Sequence, residues 1–406
     1  MELTGKHVVF IVENCSVPFD PRVWREAKSL KKIGCKISVI SPLGFKRDEK
    51  KYEVIDDINI YRYQLPINNY SKFGYFFEYL KSFLFSTYFL LRIGFKSPIN
   101  AIHIANPPDI FFPLGFMARI FGVIFIFDHH DLSPESFRVK FGENNRLIFK
   151  LLLIMEYFSM KVSNCVVTTN ESLKDKAIKR NGVPNEKVVV VRNGPDAKFR
   201  TMTQIKRLNR NNYNYIVSYI GNMGEPDGVE NIIYAADYIC NHQNRRDIQF
   251  FLIGYGDRYD SLLKLTDSKN LNGNVVFTNR IEDKEAKQIL YSSDVCLSPD
   301  PRNGLNEFHT MNKVAEYMAF GKPIVSFNLD ESIFTAKEAA IYVKNNDPHK
   351  FGEAIISLIN DEDKRKKMGE IGRDRLEKFF TWEKSEIILQ SLYLNLFKRQ
   401  NKKLVV

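Results

Sequence analysis

The stretch from Ser298 to Leu329 sets a lysine and a carboxylate one helical turn apart, just behind a strand end. Strand-forming residues Asp294 to Ser298 run into Pro299-Asp300-Pro301, and Thr310 stands where a helix over Met311 to Phe320 needs its N-cap. Gly321 and Pro323 stop that helix, and Ile324 to Phe327 begin the next strand. Asn312, Lys313 and Glu316 share a face because offsets of three and four do, while Val314, Tyr317 and Met318 supply the buried side. A cation in the first turn adds to the positive end of the helix and can hold a phosphate. A carboxylate one turn later can accept both hydroxyls of a ribose. The pattern is that of a nucleoside-diphosphate site; its plainer reading is a solvated Lys313–Glu316 pair on a surface helix.

Other strand-end loops could complete such a site. Gly221-Asn222-Met223-Gly224-Glu225-Pro226-Asp227-Gly228 follows an apolar strand and precedes a helix from Val229. A glycine-rich turn there lets backbone N–H groups approach a pyrophosphate, although the spacing is not the dinucleotide fingerprint, and a tight turn explains the glycines equally well. Gly254-Tyr255-Gly256-Asp257 and Asn279-Arg280 end two further strands. Nearer the N-terminus, Val123 to Phe127 run straight into Asp128-His129-His130-Asp131-Leu132-Ser133-Pro134-Glu135. Two His and two Asp suggest a metal, but neighbours in an extended segment point opposite ways and cannot all ligate one ion, so no metal is expected and a polar catalytic rim is. A hydrogen-bonded structural histidine is the alternative.

Positioning these residues takes a parallel sheet twice over. In the first half, strands at His7 to Glu13, Lys36 to Ser41, Ala101 to Ile104, Val123 to Phe127, Asn164 to Thr168 and Lys187 to Arg192 alternate with helices. Those run from about Arg22 to Ile33, Ser71 to Phe95, Ile110 to Phe121, Asn145 to Val162 and Glu171 to Asn181. Continuous rather than alternating apolar strands mean a parallel sheet covered on both faces, an α/β, Rossmann-like domain over residues 1–200. After Asn193-Gly194-Pro195, the polar stretch 201–214 reads as a linker. The alternation resumes over 215–380, with strands at Tyr215 to Gly221, Ile248 to Ile253, Asn274 to Thr278, Asp294 to Ser298, Pro323 to Phe327 and Ala340 to Val343. A last helix, about 381–400, is expected to pack back on the first domain. Two doubly wound domains facing across a cleft, with ligands at the carboxyl ends of the strands, is the expected architecture.

Composition agrees. A chain of 406 residues, 44% apolar and 26% charged, can build two cores and is neither disordered, collagen-like nor a coiled coil. Cys15, Cys35, Cys165, Cys240 and Cys296 lie far apart, with no C-x-x-C pair, so a disulfide framework and a zinc site are both unexpected, which suits a reducing cytoplasm. Lys6 and Glu13 bracket an apolar run too short for an export signal, so none is expected. The net charge of +11 favours polyanions, yet no nucleic-acid recognition motif accompanies it, and nucleic acid is not an expected partner.

Taken in order over almost the whole chain, these pieces resemble a known family. Phe19 to Glu26, Ala105-Asn106-Pro107-Pro108-Asp109, Asp128 to Glu135, Thr168 to Ser172, Val191 to Pro195, Gly221 to Gly228, Thr310 to Pro323 and Met368-Gly369 to Trp382-Glu383 are similar to segments of family 4 glycosyltransferases. These are retaining enzymes of the GT-B fold, and the likeness is to their bacterial surface-polysaccharide branch. The resemblance implies transfer of a sugar from a nucleoside-diphosphate donor, UDP- or GDP-linked, to a hydroxyl of a glycan or undecaprenyl-linked acceptor. Glu316 would be the second Glu of the family's pair, binding the ribose. Phe308 stands where the first belongs, and the nearest acid is Glu307. Catalytic roles are thereby expected for His130, Glu307 and Lys313, with His129 the neighbour that could take the place of His130. Gly221, Asn222, Gly224, Gly254, Arg280, Asn312, Lys313 and Glu316 would bind the donor, with Lys313 and Arg280 replacing cations that relatives carry in the turn occupied here by Asn222 and Asp227. Asp128, His129, Glu135 and Arg22 would lie on the acceptor side. Front-face transfer, in which a leaving phosphate oxygen takes the acceptor's proton, needs a stabilised leaving group rather than a strong base or a cofactor, and no metal is expected.

Over Ser71 to Phe95, Phe73, Phe76, Phe77, Leu80, Phe83, Leu84, Leu91 and Phe95 form an apolar face flanked by Lys72, Lys81, Arg92 and Lys96. Such a helix either lies in a membrane interface or covers its own sheet. No run reaches the ~18 uncharged residues a spanning helix needs, so the expectation is a cytoplasmic protein held peripherally at the anionic inner face of the plasma membrane. A nucleotide-sugar epimerase or hydrolase and a non-catalytic nucleotide-binding subunit are the alternative functions.

Overall fold

The computed structural model describes residues 2–44, 48–65, 72–142, 144–202 and 205–404. Ser71, the side chains of Lys72 and Phe73, and Thr203 and Gln204 of the expected linker lie outside the described residues. The chain divides into two compact units, residues 1–192 with 385–406, and residues 193–384.

The first unit contains β1 (His7–Ile11), α1 (Pro21–Lys32), β2 (Lys36–Pro42), β3 (Tyr52–Ile55), β4 (Ile58–Tyr63), α2 (Lys72–Lys96), β5 (Ala101–Ala105), α3 (Phe112–Ile120), β6 (Ile124–His129), α4 (Ser133–Phe141), α5 (Arg146–Val162), β7 (Cys165–Thr168), α6 (Glu171–Asn181) and β8 (Val188–Val190). The sheet order is β3-β4-β2-β1-β5-β6-β7-β8. Every neighbouring pair is parallel except β3 and β4. Val9, Ile11, Ile104, Phe125, Phe127 and Val166 fill its core. Asp20 caps α1 through the N–H groups of Arg22 (2.9 Å) and Val23 (3.0 Å), with Pro21 in the first turn, so the helix starts where Arg22 can turn inward.

The β3–β4 hairpin is absent from the sequence reading. Asp56 and Asp57 close it, both at positive φ (52° and 57°), which is the two-residue turn that matches strand twist. β6 also runs further than expected, through Asp128 and His129, which pair in register with Ala105 and Val167 and with Thr168.

The second unit contains α7 (Ala197–Arg200), β9 (Tyr215–Ile220), α8 (Glu230–Asp237), β10 (Ile248–Ile253), α9 (Tyr259–Ser268), β11 (Val275–Asn279), α10 (Asp283–Ser292), β12 (Val295–Ser298), α11 (Asn312–Ala319), β13 (Ile324–Phe327), α12 (Asp330–Ala336), β14 (Ala340–Val343), α13 (Pro348–Ile359), α14 (Glu362–Phe379) and the start of α15 (Trp382–Leu404), whose residues from Ser385 belong to the first unit. The all-parallel order β11-β10-β9-β12-β13-β14 puts the topological switch point between β9 and β12. In the first sheet the corresponding point lies between β1 and β5. Residues 205–214 pack within the second unit: the Leu208 N–H donates to Ser292 Oγ (2.8 Å), and Arg210 pairs with Asp294 (3.0 Å).

The second unit begins and ends at one place. A Cβ on Gly194 would lie 2.0 Å from the Phe380 carbonyl oxygen, the Trp382 N–H donates to the Pro195 carbonyl (3.3 Å), and Arg200 pairs with Glu377 and Glu383, each at 2.7 Å.

Candidate active site

In the second unit the loops after β9 and β12 are tied together at the switch point. Gly228 sits in the left-handed region (φ 59°), where a Cβ would strike Pro301 Cδ at 2.6 Å. Buried Asn306 donates to the carbonyls of Pro226 (2.8 Å) and Pro301 (2.9 Å). Asp227 and Asp300 thereby come to flank Lys313, whose Nζ lies 2.6 Å from Asp300 Oδ1, 4.0 Å from Asp227 Oδ1 and 4.9 Å from the centre of the Tyr219 ring. Lys313 is only 8% exposed. Ser298 Oγ holds the other Asp300 oxygen at 2.7 Å. Burial lifts the Asp227 carboxyl above its ordinary range, Lys313 working against that lift and Asp300 with it.

Several expectations change here. Lys313 pairs with Asp300 rather than with Glu316, which is half-buried one turn on, while Asn312 is exposed. Thr310 is not the N-cap of α11: Met311 takes that position, and its side chain makes no capping bond. The glycine-turn amides are not free for phosphate, since Gly221 N–H donates to Ile253 O (3.0 Å), Met223 N–H to Tyr255 O (3.3 Å) and Gly224 N–H to Asp227 Oδ2 (2.9 Å). Asn222 donates its side chain to Asp227 as well (3.2 Å). Gly221 and Gly254 are glycines for packing: a Cβ on Gly254, at φ 137°, would lie 1.8 Å from the Gly221 carbonyl oxygen, and one on Gly221 would crowd Lys313 Cε at 3.2 Å. Arg280 is exposed at the end of edge strand β11, two strands and so about 10 Å from β9, and does not join Lys313. Glu307 is taken up by Arg302 (3.0 Å), which also holds Asp330 (3.0 Å) and the Asn328 carbonyl (2.8 Å). It braces the loop.

In the first unit, the alternation along β6 sends Asp128 and His129 to opposite faces. Asp128 meets Arg22 twice, at Nε (3.2 Å) and at the terminal nitrogen (3.0 Å), and lies 2.6 Å from His130 Nε2. Arg22 Nε lies 2.7 Å from that same nitrogen of His130, and its other arm donates to the Val191 carbonyl (2.8 Å). One turn along α1, Glu26 Oε1 is 3.1 Å from Arg22, and His103 Nε2 stands 3.2 Å from Asp128 and 3.6 Å from Glu26. Burial alone would raise the Asp128 carboxyl, but Arg22, His130 and His103 outweigh it and hold it well below the usual carboxylate range. Burial pushes Glu26 well above that range against the pull of Arg22. Burial also lowers His103, leaving it neutral. Asn106 accepts from the His130 N–H (2.6 Å), fixing the backbone there.

His130, 15% exposed at its side chain, is the accessible member of this cluster. Asp128 and Arg22, expected to face an acceptor, are buried and hold His130 instead. His129 is fully buried on the opposite side, 3.8 Å from Glu156, and is no substitute for His130. Glu135 also turns to that network, with Lys176 (3.0 Å) and Arg180 (2.6 Å). Glu26, His103 and Tyr393 were missed by sequence reasoning. The four-residue step from Arg22 to Glu26 could have revealed the first; nothing local marks the other two. Glu26, His103 and Asp128 offer ligand atoms within 4.8 Å of one another, but the Arg22 guanidinium already supplies the cation they face.

The helix over 72–96 is apolar on both sides: Phe89, Leu90 and Ile93 pack into the core of the first unit, yet much of the apolar surface turns outward. Phe76, Phe77, Leu80, Leu84, Tyr88, Leu91 and Phe95 are exposed, whereas Glu78, Ser82 and Ser86 are buried; Phe83 departs from the outer face and stacks on Phe111 at 6.2 Å. These outward residues, unlike Phe83, Phe89, Leu90 and Ile93, do not cover the sheet. Phe116, Ile120 and Phe121 of α3, with Leu147, Leu151 and Ile154 of α5, are exposed too. Among the described residues no helix is long and apolar enough to cross a membrane.

Comparison with known proteins agrees with both units. The family described as Glycosyltransferase Family 4 matches residues 22–199, and that described as Glycosyl transferases group 1 matches residues 214–361. The chain is 26% identical over 244 residues to an uncharacterized glycosyltransferase, MJ1069, of Methanocaldococcus jannaschii, spanning 59% of this chain and 58% of that one. It is 26% identical over 272 residues to the capsular polysaccharide biosynthesis glycosyltransferase CapM of Staphylococcus aureus, 62% of this chain and 67% of that one. Among solved structures, sucrose-phosphate synthase from Thermosynechococcus elongatus is similar at TM-score 0.72 and 19% identity, covering 97% of this chain and 100% of that one. HepE from Anabaena, solved in complex with UDP, is similar at TM-score 0.69 and 14% identity, covering 97% and 100%. The two structural likenesses give the fold, GT-B, and the two family matches, one on each unit, give the lineage: the chain belongs to the family 4, group 1 glycosyltransferases.

Proposed function

We propose that the protein is a retaining glycosyltransferase that moves a sugar from a nucleoside-diphosphate sugar to a hydroxyl of a glycan or lipid-linked acceptor in bacterial surface-polysaccharide assembly. The observation that carries this reading is the start of α11, which lies at the switch point of the second sheet, has no side-chain cap and bears Lys313 in its first turn. An uncapped helix start leaves its first amides for an anion. Lys313 has its charge matched by Asp300, so in this reading those amides carry most of the attraction for the diphosphate, Lys313 completes it, and Glu316 one turn on takes the ribose. His130 is the group beside the reacting sugar, and no resident metal takes part. The name of the S. aureus relative, which places that protein in capsular polysaccharide biosynthesis, supports a surface glycan as the product.

The reading extends to a membrane. The outward apolar faces of α2, α3 and α5, with Lys81, Arg92 and Lys96 beside them, suit the headgroup boundary of an anionic bilayer, where a lipid-linked acceptor is presented. The testing experiment screens UDP- and GDP-sugars by thermal shift and follows nucleoside diphosphate release with and without glycan acceptors. Release that requires acceptor supports transfer. Acceptor-independent turnover would mean an epimerase or hydrolase, and binding without turnover a nucleotide-binding subunit.

A further inference from the structure

We propose that Tyr393, on α15, is a positioning residue for His130, acting through His103 and Asp128; this rests on the reading of His130 given above. The four side chains lie in sequence inside the first unit, joined by hydrogen bonds at both ends and by a close approach without hydrogen-bond geometry between His103 and Asp128. Tyr393 Oη lies 2.8 Å from His103 Nδ1, His103 Nε2 lies 3.2 Å from Asp128 Oδ2, and that oxygen lies 2.6 Å from His130 Nε2. The first three residues are fully buried. The His103 ring stacks on Phe10, 4.7 Å away, and the Tyr393 ring lies nearly parallel to it with its centre 6.2 Å away.

His103 Nε2 faces two carboxyl groups, Asp128 and Glu26, an arrangement that favours the ring hydrogen of the neutral imidazole on that nitrogen over Nδ1. A phenol O–H pointed at Nδ1 stabilises this tautomer, and Tyr393 supplies it. His130 Nε2 lies 2.6 Å from Asp128 Oδ2 and accepts from the Arg22 Nε–H at 2.7 Å, so the ring is held between that carboxylate and that guanidinium. The outer nitrogen, Nδ1, takes no hydrogen bond among the described residues and is the one presented outward. The groups facing the series are Asp20, Arg22 and Glu26 from α1, with Cys35 and Cys165 beside Tyr393. Without the Tyr393 hydroxyl, the His103 hydrogen is free to move to Nδ1. Asp128 then loses the N–H dipole 3.2 Å away, becomes a stronger base and favours the protonated form of His130.

The test is Tyr393→Phe in the full chain, alone and combined with His130→Gln. The first readout needs no substrate: 15N NMR of the seven histidines, assigned by single substitution, reports the tautomer of each. The second is kcat, donor KM and the pH profile with the nucleotide sugar that supports turnover. Expected are loss of the Nε2–H tautomer of His103, kcat lower by about tenfold, as one lost hydrogen bond implies, donor KM within about twofold, and a pH profile moved to higher pH. In the His130→Gln background Tyr393→Phe should add nothing further. An unchanged tautomer, or an equal loss of kcat with and without His130, would overturn the proposal and leave Tyr393 a packing residue. A silent His130→Gln would instead remove the underlying reading of His130, and the proposal with it.

Discussion

Glu13 provides the sharpest test of the charge arrangement in the first unit. It follows β1 at the first sheet's switch point, is 3% exposed and lies beneath α2, where Ser82 Oγ donates to it at 3.1 Å and Glu78 is its acidic neighbour. Burial first, and Glu78 second, push its carboxyl from an ordinary 4.5 to about 8, with Ser82 opposing. A folded-state pKa above the unfolded one means that the native protein keeps a proton the unfolded chain has lost. The resulting stability is complete below pH 4.5 and disappears as the pH climbs through about 8. At about 1.4 kcal/mol per pH unit between those values, ionising Glu13 in place costs up to about 5 kcal/mol. Glu13→Gln keeps an acceptor for Ser82 and carries no charge at any pH. With about 2–4 °C per kcal/mol for units of this size, the wild-type Tm should fall by roughly 10 °C more than the variant's between pH 5 and 8.5. Calorimetry at fixed ionic strength measures this, and hydrogen exchange along α2 should rise with pH in the wild type alone. Parallel Tm curves for the two proteins would refute the reasoning.

Other substitutions address the second unit and the outer helices. Lys313→Met leaves Asp300 buried and unpaired, so it should destabilise by about 3 kcal/mol and weaken UDP or GDP binding; adding Asp300→Asn should restore the melting temperature without restoring the binding, as calorimetric titration would reveal. Glu316→Ala should weaken the whole nucleotide by about tenfold while leaving inorganic pyrophosphate binding unchanged, and equal affinity for the nucleotide would remove Glu316 from the site. Gly254→Ala forces both a steric collision and a left-handed backbone, so it should lower stability by about 2 kcal/mol or more in denaturant melts. Phe76→Glu with Leu84→Glu should abolish flotation with anionic liposomes without changing Tm, since both side chains are exposed; unchanged flotation would end the membrane reading.

The repeated strand and helix pattern was legible because parallel strands are apolar throughout and helices carry their own stop signals, as Gly321 and Pro323 do after α11. The β3–β4 hairpin was not read, although Asp56-Asp57 between alternating residues is a local signal for it. The opposition of Asp128 and His129 followed from extended geometry alone. Their partners did not, since Arg22, His103 and Tyr393 come from distant elements, and nothing along the chain says that Tyr393 stands behind β5. Lys313 was found by its helical offset from Glu316, but its pairing with Asp300 depends on Gly228 and Asn306 drawing two loops together. Thr310 was a sound N-cap by residue type, yet Met311 takes the position. That mismatch is informative, because a helix start left open lies where an anion is expected.

The junction at Gly194 and Phe380 has an architectural consequence. A segment whose two ends lie together can be exchanged through two joints at one place, with its sheet and loops intact and one cut inside the first turn of α15. Exchanging residues 193–384 between related chains is thus a practical route to hybrids, and under the proposed function the activated-sugar preference would travel with that segment.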